Sequence, residues 1–462
     1  MEVRNTTLYE EMLKIINVPA THPEFMWSVT LFTPEGELVL DDVKSMSVER
    51  DYAQDFSDKT MLNFMMGIGT YTNKVYPYKS KLTVEIVKRP IVVGSNDTLD
   101  PNQYATKEVY RAVLVDQSSL GLRAGSEMTS DEAKGDRSQR IQVQLQLIDP
   151  LLDAMRTKFI SGIFEGTWEN ILKALCRAKL RKEPWEKDVN LERVHQRQQY
   201  ELAGVDVVET DNTNDPKQLL IPVGTRIVDL PDYIQRKYGL YTTSLGSYIE
   251  RGEWYIWGLH NTKRYENSER TITVAMMDSG VLPATDNSYI VEEKHVKIVA
   301  TGNIQHLDNT ESTLQNLGNG VRYQDANKLM DGYAETIDGV THISRGKNLR
   351  EYLVEPREDN LNVIPYAKQR MTSNHYKELS ELNERRGTIV AVKWENSAPD
   401  VLRPGTPSKL LYSAKDEVKS VEGILIGCVH AYAKESQRYT DQRVRCNSQL
   451  VFWVNRDITN PA

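Results

Sequence analysis

The 462-residue sequence holds few side chains at spacings that do chemistry. Its eight histidines, His22, His195, His260, His295, His306, His342, His375 and His430, are dispersed. No two stand four residues apart on a predicted helix, so the local spacing of a histidine-pair metal site is missing. Cys176, Cys428 and Cys446 are too few and too scattered for a disulfide framework or a cysteine-rich metal site. They read as small buried apolar groups made in a reducing compartment. Asp41, Asp42, Asp51, Asp55 and Asp58 form a carboxylate cluster. Glycoside hydrolysis needs two carboxyls on a concave face, but no aromatic sugar platform accompanies these, and a solvated acidic rim is the simpler reading. Gly67-Ile68-Gly69 and Gly318-Asn319-Gly320 lack the third glycine and the strand-to-helix setting of a dinucleotide loop, and read as turns. The basic run from Arg177 to Lys182 reads as a solvated helix end. HExxH, CxxC, GxxxxGK[ST], GxSxG and EF-hand patterns are absent from the sequence. A triad assembled from distant residues stays open. The residues favour binding or assembly over catalysis, and no catalytic residue, cofactor or metal ligand is expected.

Composition sets the frame for these residues. With 39% hydrophobic and 26% charged residues the chain is neither disordered nor fibrous, and its length suits two to four domains. The net charge of −8 argues against a broad grip on nucleic acid. The first twenty residues contain no signal-peptide run, and no 18-residue apolar window occurs, so no membrane insertion is expected. There are 23 Tyr and 7 Trp against 7 Phe. Tyr and Trp suit surfaces that are apolar yet wet, as at subunit contacts, with compositional drift as the open alternative.

The elements that must position any site read as β, mixed, β. Residues 1–24 read as an N-terminal arm, with Leu8, Met12, Ile15 and Ile16 at helical spacing. Residues 25–150 read as a first antiparallel β domain, in which Ile141, Val143, Leu145 and Leu147 alternate strictly with glutamines. Residues 49–80 and 117–137 read as loops able to reach a neighbour. Residues 151–265 read as a mixed α+β domain. Trp168, Ile171, Leu172, Leu175 and Cys176 stripe one helix after an N-capping Thr167, and a second short helix starts at Pro231 and ends before Gly239. A hairpin turns over Glu250-Arg251-Gly252-Glu253, and 183–217 reads as a polar surface excursion. Residues 266–310 and 386–458 read as a second β domain interrupted by a connecting insertion, 311–385, with a helix over 372–384.

This arrangement resembles the baseplate hub proteins of contractile-tailed bacteriophages, the trimeric base that carries the central spike. Three stretches carry the resemblance. One runs from Gln139 to Pro150 and on to Phe164–Leu172, where a tube-type β domain ends and a small helix opens the next. Another is Leu230–Ile234 leading to Trp254–Trp257. The third is Gly387–Val392 with Leu402-Arg403-Pro404-Gly405 and the closing strands.

The resemblance implies a fold of two tail-tube-type antiparallel β-barrel domains plus a mixed α+β inserted domain. It implies a non-enzymatic homotrimer in the virion tail baseplate, assembled in the host cytoplasm. Two barrels per chain would give six per trimer, matching a sixfold tail tube to a threefold spike. Implied partners are the chain itself, the tail tube protein or tube-initiator ring, the central spike protein and the baseplate wedge proteins. DNA would pass without specific binding, since three times −8 gives −24 and a negative lumen repels phosphates. Tyr71, Tyr76, Tyr78, Trp254, Tyr255 and Trp257 are the candidate subunit-interface residues, with capping of their own core as the alternative for Trp254 and Trp257. Another tail or baseplate component on the same module, a wedge or distal tail protein, is the alternative reading. A tail-associated cell-wall-degrading enzyme is a further one.

Overall fold

The computed structural model describes residues 25–90, 106–115, 140–178, 202–213, 218–277, 288–302, 334–337, 340–343, 387–414, 417–434 and 443–455. The expected helices over 2–16 and 372–384, the loop 117–137 and nearly all of the insertion 311–385 lie outside the described residues.

The strands are β1 (Phe25–Thr33), β2 (Gly36–Val39), β3 (Val43–Asp51), β4 (Lys59–Gly67), β5 (Leu82–Pro90), β6 (Thr106–Leu114), β7 (Arg140–Ile148), β8 (Phe159–Phe164), β9 (Gly204–Val207), β10 (Leu219–Arg226), β11 (Leu245–Glu250), β12 (Glu253–Gly258), β13 (Thr271–Met277), β14 (Tyr289–Glu292), β15 (His295–Gly302), β16 (Ala334–Ile337), β17 (Val340–Ile343), β18 (Gly387–Trp394), β19 (Pro407–Ala414), β20 (Glu417–Lys434) and β21 (Arg443–Asn455). The longer helices are α1 (Pro150–Thr157), α2 (Trp168–Ala178) and α3 (Leu230–Lys237). The chain is mainly β, as its alternating runs predict.

Two closed barrels organise the sheet. The order β3-β4-β7-β6-β5-β1-β21-β20 returns to β3 and closes the first. The order β13-β19-β20-β21-β18-β15 returns to β13 and closes the second, with β13 parallel to both its neighbours. β20 and β21 are staves of both. Residues 417–424 of β20 pair with β19, and 427–433 pair with β3. In β21, Arg443 and Val444 reach β1 whereas 448–455 pair with β18. The register of β20 against β21 shifts between Leu425 and Gly427, where β20 passes from one barrel to the other. A bulge bends a strand and raises its twist, as that transfer needs. Gly427 fits the bend because a Cβ there would lie 2.9 Å from the carbonyl oxygen of Arg50.

Alternation fixes which face each stave buries. In β7, Val143, Leu145 and Leu147 are buried while Gln142 and Gln146 face water. β4 does the same with Leu62 and Phe64 inside. It occupies part of the stretch 49–80 expected as a loop, and sits between β3 and β7 in the barrel wall.

The mixed unit lies between the barrels in sequence. Asp149 caps α1, accepting from the Leu151 N–H at 2.7 Å, and Pro150 follows at the first helical position. In α2 the predicted stripe is buried, and the Thr167 hydroxyl accepts from the Asn170 N–H. α3 ends at Gly239, whose φ of 80° is the left-handed closure glycine permits. Arg251 (φ 52°) and Gly252 (φ 78°) turn β11 into β12, the two positive φ values of a type I′ hairpin. Residues 204–207, inside the expected polar excursion, form β9 and pair in parallel with β12. β8 and β10 form a separate antiparallel ribbon.

Three cores result. One fills the first barrel and includes Trp27, Phe64 and Tyr432. Another fills the mixed unit. The third fills the second barrel and extends to Tyr52, Tyr248, Tyr255 and Trp257, so the β11–β12 hairpin is packed onto that barrel.

Candidate functional site

The most chemically dense place is a cleft of about 390 Å³ where the three units meet. β3 brings Arg50, β5 brings Lys88, β6 brings Glu108 and Tyr110, and β20 brings His430. Asp58 comes from the approach to β4, Asp149 from the cap of α1, Glu250 and Arg251 from the β11–β12 hairpin, and Asp400 from a short turn before β19.

The charges are arranged as pairs. Arg50 lies 3.2 Å from Asp58 through Nε and donates to its Oδ2 from Nη2 at 3.2 Å. The Nη1 of the same guanidinium lies 3.0 Å from Glu250 Oε1. Tyr248 donates its hydroxyl to Asp58 Oδ1 at 2.8 Å. Arg251 forms an ion pair with Asp400 and so ties the hairpin to the second barrel. Lys88 lies 3.1 Å from Glu108 Oε2, which also accepts from the Tyr110 hydroxyl at 3.0 Å, and its ammonium stands over the Tyr432 ring.

Burial sets the protonation preferences. It opposes the charge on Arg50, but Asp58 and Glu250 outweigh it and hold the guanidinium ionised. Burial pushes the Glu250 carboxyl up, with Arg50 pulling the other way. Burial also acts to raise Glu108, and Lys88 and Arg251 overcome it to hold that carboxyl below its ordinary value. Asp149 lines the same cleft from the N-cap of α1. Burial, opposed by the Leu151 N–H and helped by Asp58 and Glu108, pushes it up to about 6.

Beside the cleft runs a chain of polar groups. Cys428 Sγ lies 3.1 Å from His430 Nε2, His430 Nδ1 lies 2.7 Å from Ser448 Oγ, and Ser448 Oγ lies 2.6 Å from Ser397 Oγ. The order is that of a nucleophile, a base and an orienting group. Burial pushes the Cys428 thiol up to about 12 and, with Arg50 and Lys88, drives His430 well below its ordinary value. The thiol is therefore un-ionised and the imidazole neutral, joining two staves shared by both barrels. Among the described residues no group of three or more His, Cys, Asp or Glu is placed to hold a metal ion, and no helix is long and apolar enough to cross a membrane.

The expected acidic rim is only partly solvated: Asp41 is exposed, and Asp51, Asp55 and Asp58 are half-buried. Asp42 is buried and pairs with Lys44 at 2.8 Å and Arg140 at 2.9 Å, and Asp58 is held by Arg50. The six aromatic interface candidates divide into two groups. Tyr71, Tyr76 and Tyr78 lie together on two short helical turns of the first barrel. The Tyr71 and Tyr76 rings are 5.9 Å apart, Tyr78 donates to Glu35 at 2.6 Å, and Tyr76 is half exposed. Trp254, Tyr255 and Trp257 lie on β12 and are buried within this chain. Trp254 donates to Ser247 Oγ at 2.9 Å and Trp257 packs edge-on to Tyr52 at 5.9 Å, so these two cap their own core and have no surface for a neighbour. Arg50 and Glu250 were not singled out by pattern, because the pair joins residues 200 positions apart and leaves no local signal.

No family model matches the chain, and no curated protein is similar to it in sequence. Among solved structures it is similar to the 43 kDa tail protein of prophage MuSo2 from Shewanella oneidensis, at 9% identity and a TM-score of 0.44, covering 93% of this chain and 97% of that one. It is also similar to a tail protein from Neisseria meningitidis MC58, at 11% identity and a TM-score of 0.38, covering 94% and 98%. A third similarity is to the Francisella PdpA–VgrG complex, at 9% identity and a TM-score of 0.34, covering 98% of this chain and 61% of that one.

Proposed function

We propose that this chain is a structural component of a phage tail, a trimeric baseplate hub that adapts the sixfold tail tube to the threefold central spike. The observation that carries the reading is the pair of closed barrels joined through the common staves β20 and β21. A chain with two rigidly joined barrels sets two such bodies per subunit, and three subunits set six around a ring. The charged cleft supports a mechanical role, since its ion pairs lock the three units to one another. The acidic balance supports passage of DNA through the ring without retention. Tyr71, Tyr76 and Tyr78 are the aromatic surface the ring would use on the first barrel.

Light scattering on the purified chain tests this. A mass three times the 52.9 kDa of one chain is expected, rising by the mass of one spike trimer when a candidate spike protein is added. A stable monomer or hexamer, or turnover on cell-wall substrate, would count against it.

A further inference from the structure

We propose that the outer face of the β8–β10 ribbon is the surface on which a second copy of this chain packs. The proposal rests on the ring reading above. The ribbon is apolar on both sides. Ile160, Leu219 and Ile221 point inward into the core of the mixed unit. Phe159, Ile163, Leu220 and Val223 point the other way and are 58%, 64%, 50% and 92% exposed. Ile163 and Leu220 stand directly opposite one another across the two strands. Val223 stands out at the irregularity between Ile221 and Thr225, next to Gly224 with its φ of 91°. Strands wet on one face alternate, as β7 does; strands covered on both faces read as continuous apolar runs. Phe-Ile-Ser-Gly-Ile-Phe and Leu-Leu-Ile-Pro-Val are runs of the second kind, yet among the described residues only one of their faces is covered.

The open element is the face and not the edge. The Leu220 N–H donates to the Tyr238 hydroxyl at 3.3 Å, and the Tyr233 hydroxyl donates to the Leu220 carbonyl at 2.9 Å. Those tyrosines close the free edge of β10 at its centre, so a partner strand cannot add there.

Area and charge favour a second copy as the occupant. The four exposed side chains present roughly 450 Å² of apolar surface, within the roughly 300–600 Å² of the largest patch on a lone chain, a patch that often marks a contact site. One side of a standard interface buries about 800 Å², and contacts between like chains are about 65% apolar, or about 500 Å². Contacts with transient partners are no more apolar than ordinary surface. The neighbouring Arg226 is paired to Asp229 at 2.6 Å, so this charge on the rim is already matched within the chain. A contact between unlike patches builds a ring when its rotation closes, and Tyr71, Tyr76 and Tyr78 supply an unlike patch on the first barrel.

The test pairs Ile163→Lys with Leu220→Glu, which puts opposite charges across the strands and preserves the ribbon within one chain. Light scattering of the wild-type chain and the double variant is the measurement, with the thermal midpoint as the check on folding. The expected result is a wild-type trimer and a folded monomeric variant, assembly weakening by about a hundredfold or more. A variant that stays trimeric overturns the ribbon contact and leaves the ring reading standing. A wild-type dimer lost in the variant overturns the ring and keeps the contact. A monomeric wild-type chain at about 100 µM overturns both. Should the variant fail to fold, Val223→Cys replaces it, since all three native cysteines are buried. Its labelling by a bulky maleimide is expected to slow about tenfold between dilute and assembled chain, and an unchanged rate overturns the contact.

Discussion

Arg50 of β3 and Glu250 of β11 meet at 3.0 Å across the boundary between the first barrel and the mixed unit, with 6% and 2% of their side chains exposed. Asp58 completes the set on the other side of the guanidinium. A buried charge that loses its partner costs about 3–5 kcal/mol, because it cannot regain water. Arg50→Met strands two carboxylates, whereas Glu250→Gln leaves Arg50 with Asp58. The arginine variant is therefore expected to lose about 4 kcal/mol in urea unfolding and the glutamine variant about half of that. The reverse ranking would show that the knot is not what joins the two units.

Asp149 gives the chain a pH dependence of known sign. Its carboxyl is raised in the fold from 3.8 to about 6. A raised acid means that the folded state holds the proton more tightly. Its contribution is fully present below 3.8 and is lost as pH rises through about 6. Asp149→Asn keeps an N-cap for α1 but removes the cost of an ionised carboxylate in the cleft. The helix dipole favours the aspartate by only about 0.3–1 kcal/mol. The variant is thus expected to gain about 1–2 kcal/mol at pH 7.5 and nothing at pH 4, read as urea midpoints. A gain of equal size at both pH values would rule out the carboxylate as its source.

The degree to which this molecule was legible differs by element. β7 was plain because one face stays wet, and the β11–β12 hairpin because Arg251-Gly252 supplies the left-handed residues its turn needs. β4 was hidden because Met61, Met65 and Met66 carry little strand preference, although Leu62 and Phe64 keep the period. β8 and β10 were hidden because Gly162, Pro222 and Gly224 interrupt apolar runs that never alternate. The sharing of β20 and β21 rests on long-range register, and no local pattern encodes it. Asp58 is visible in the sequence as one of a carboxylate cluster; that it is clamped by Arg50 follows only from the fold.

The buried thiols should be silent. Cys428 is pushed up to about 12 and Cys446 to about 11, and burial drives Cys176 up as well. The thiolate is the reactive species, so the native chain is expected to consume less than one equivalent of a disulfide reagent at pH 8, and three after denaturation. Fast reaction of one native thiol, mapped to Cys428 by peptide mass, would reveal an accessible nucleophile there and revive the enzyme reading through His430 and Ser448.

The fit of Gly387 to Trp453 tests the second barrel. A Cβ on Gly387 would come within 1.9 Å of the Trp453 indole, a clash that packing cannot absorb in place. Trp453 also packs at a tilt against His260, ring centroids 4.9 Å apart, so its ring is held from the mixed unit as well. Burial drives that imidazole down to about 4, which leaves it neutral and the ring contact free of charge near pH 7. Gly387→Ala is expected to cost about 1–3 kcal/mol by overpacking. Trp453→Phe removes the clashing ring, so Gly387→Ala should cost less in that background than alone, a coupling of at least about 1 kcal/mol in a double-mutant cycle. Additive losses would mean that β18 is strained by something other than the indole.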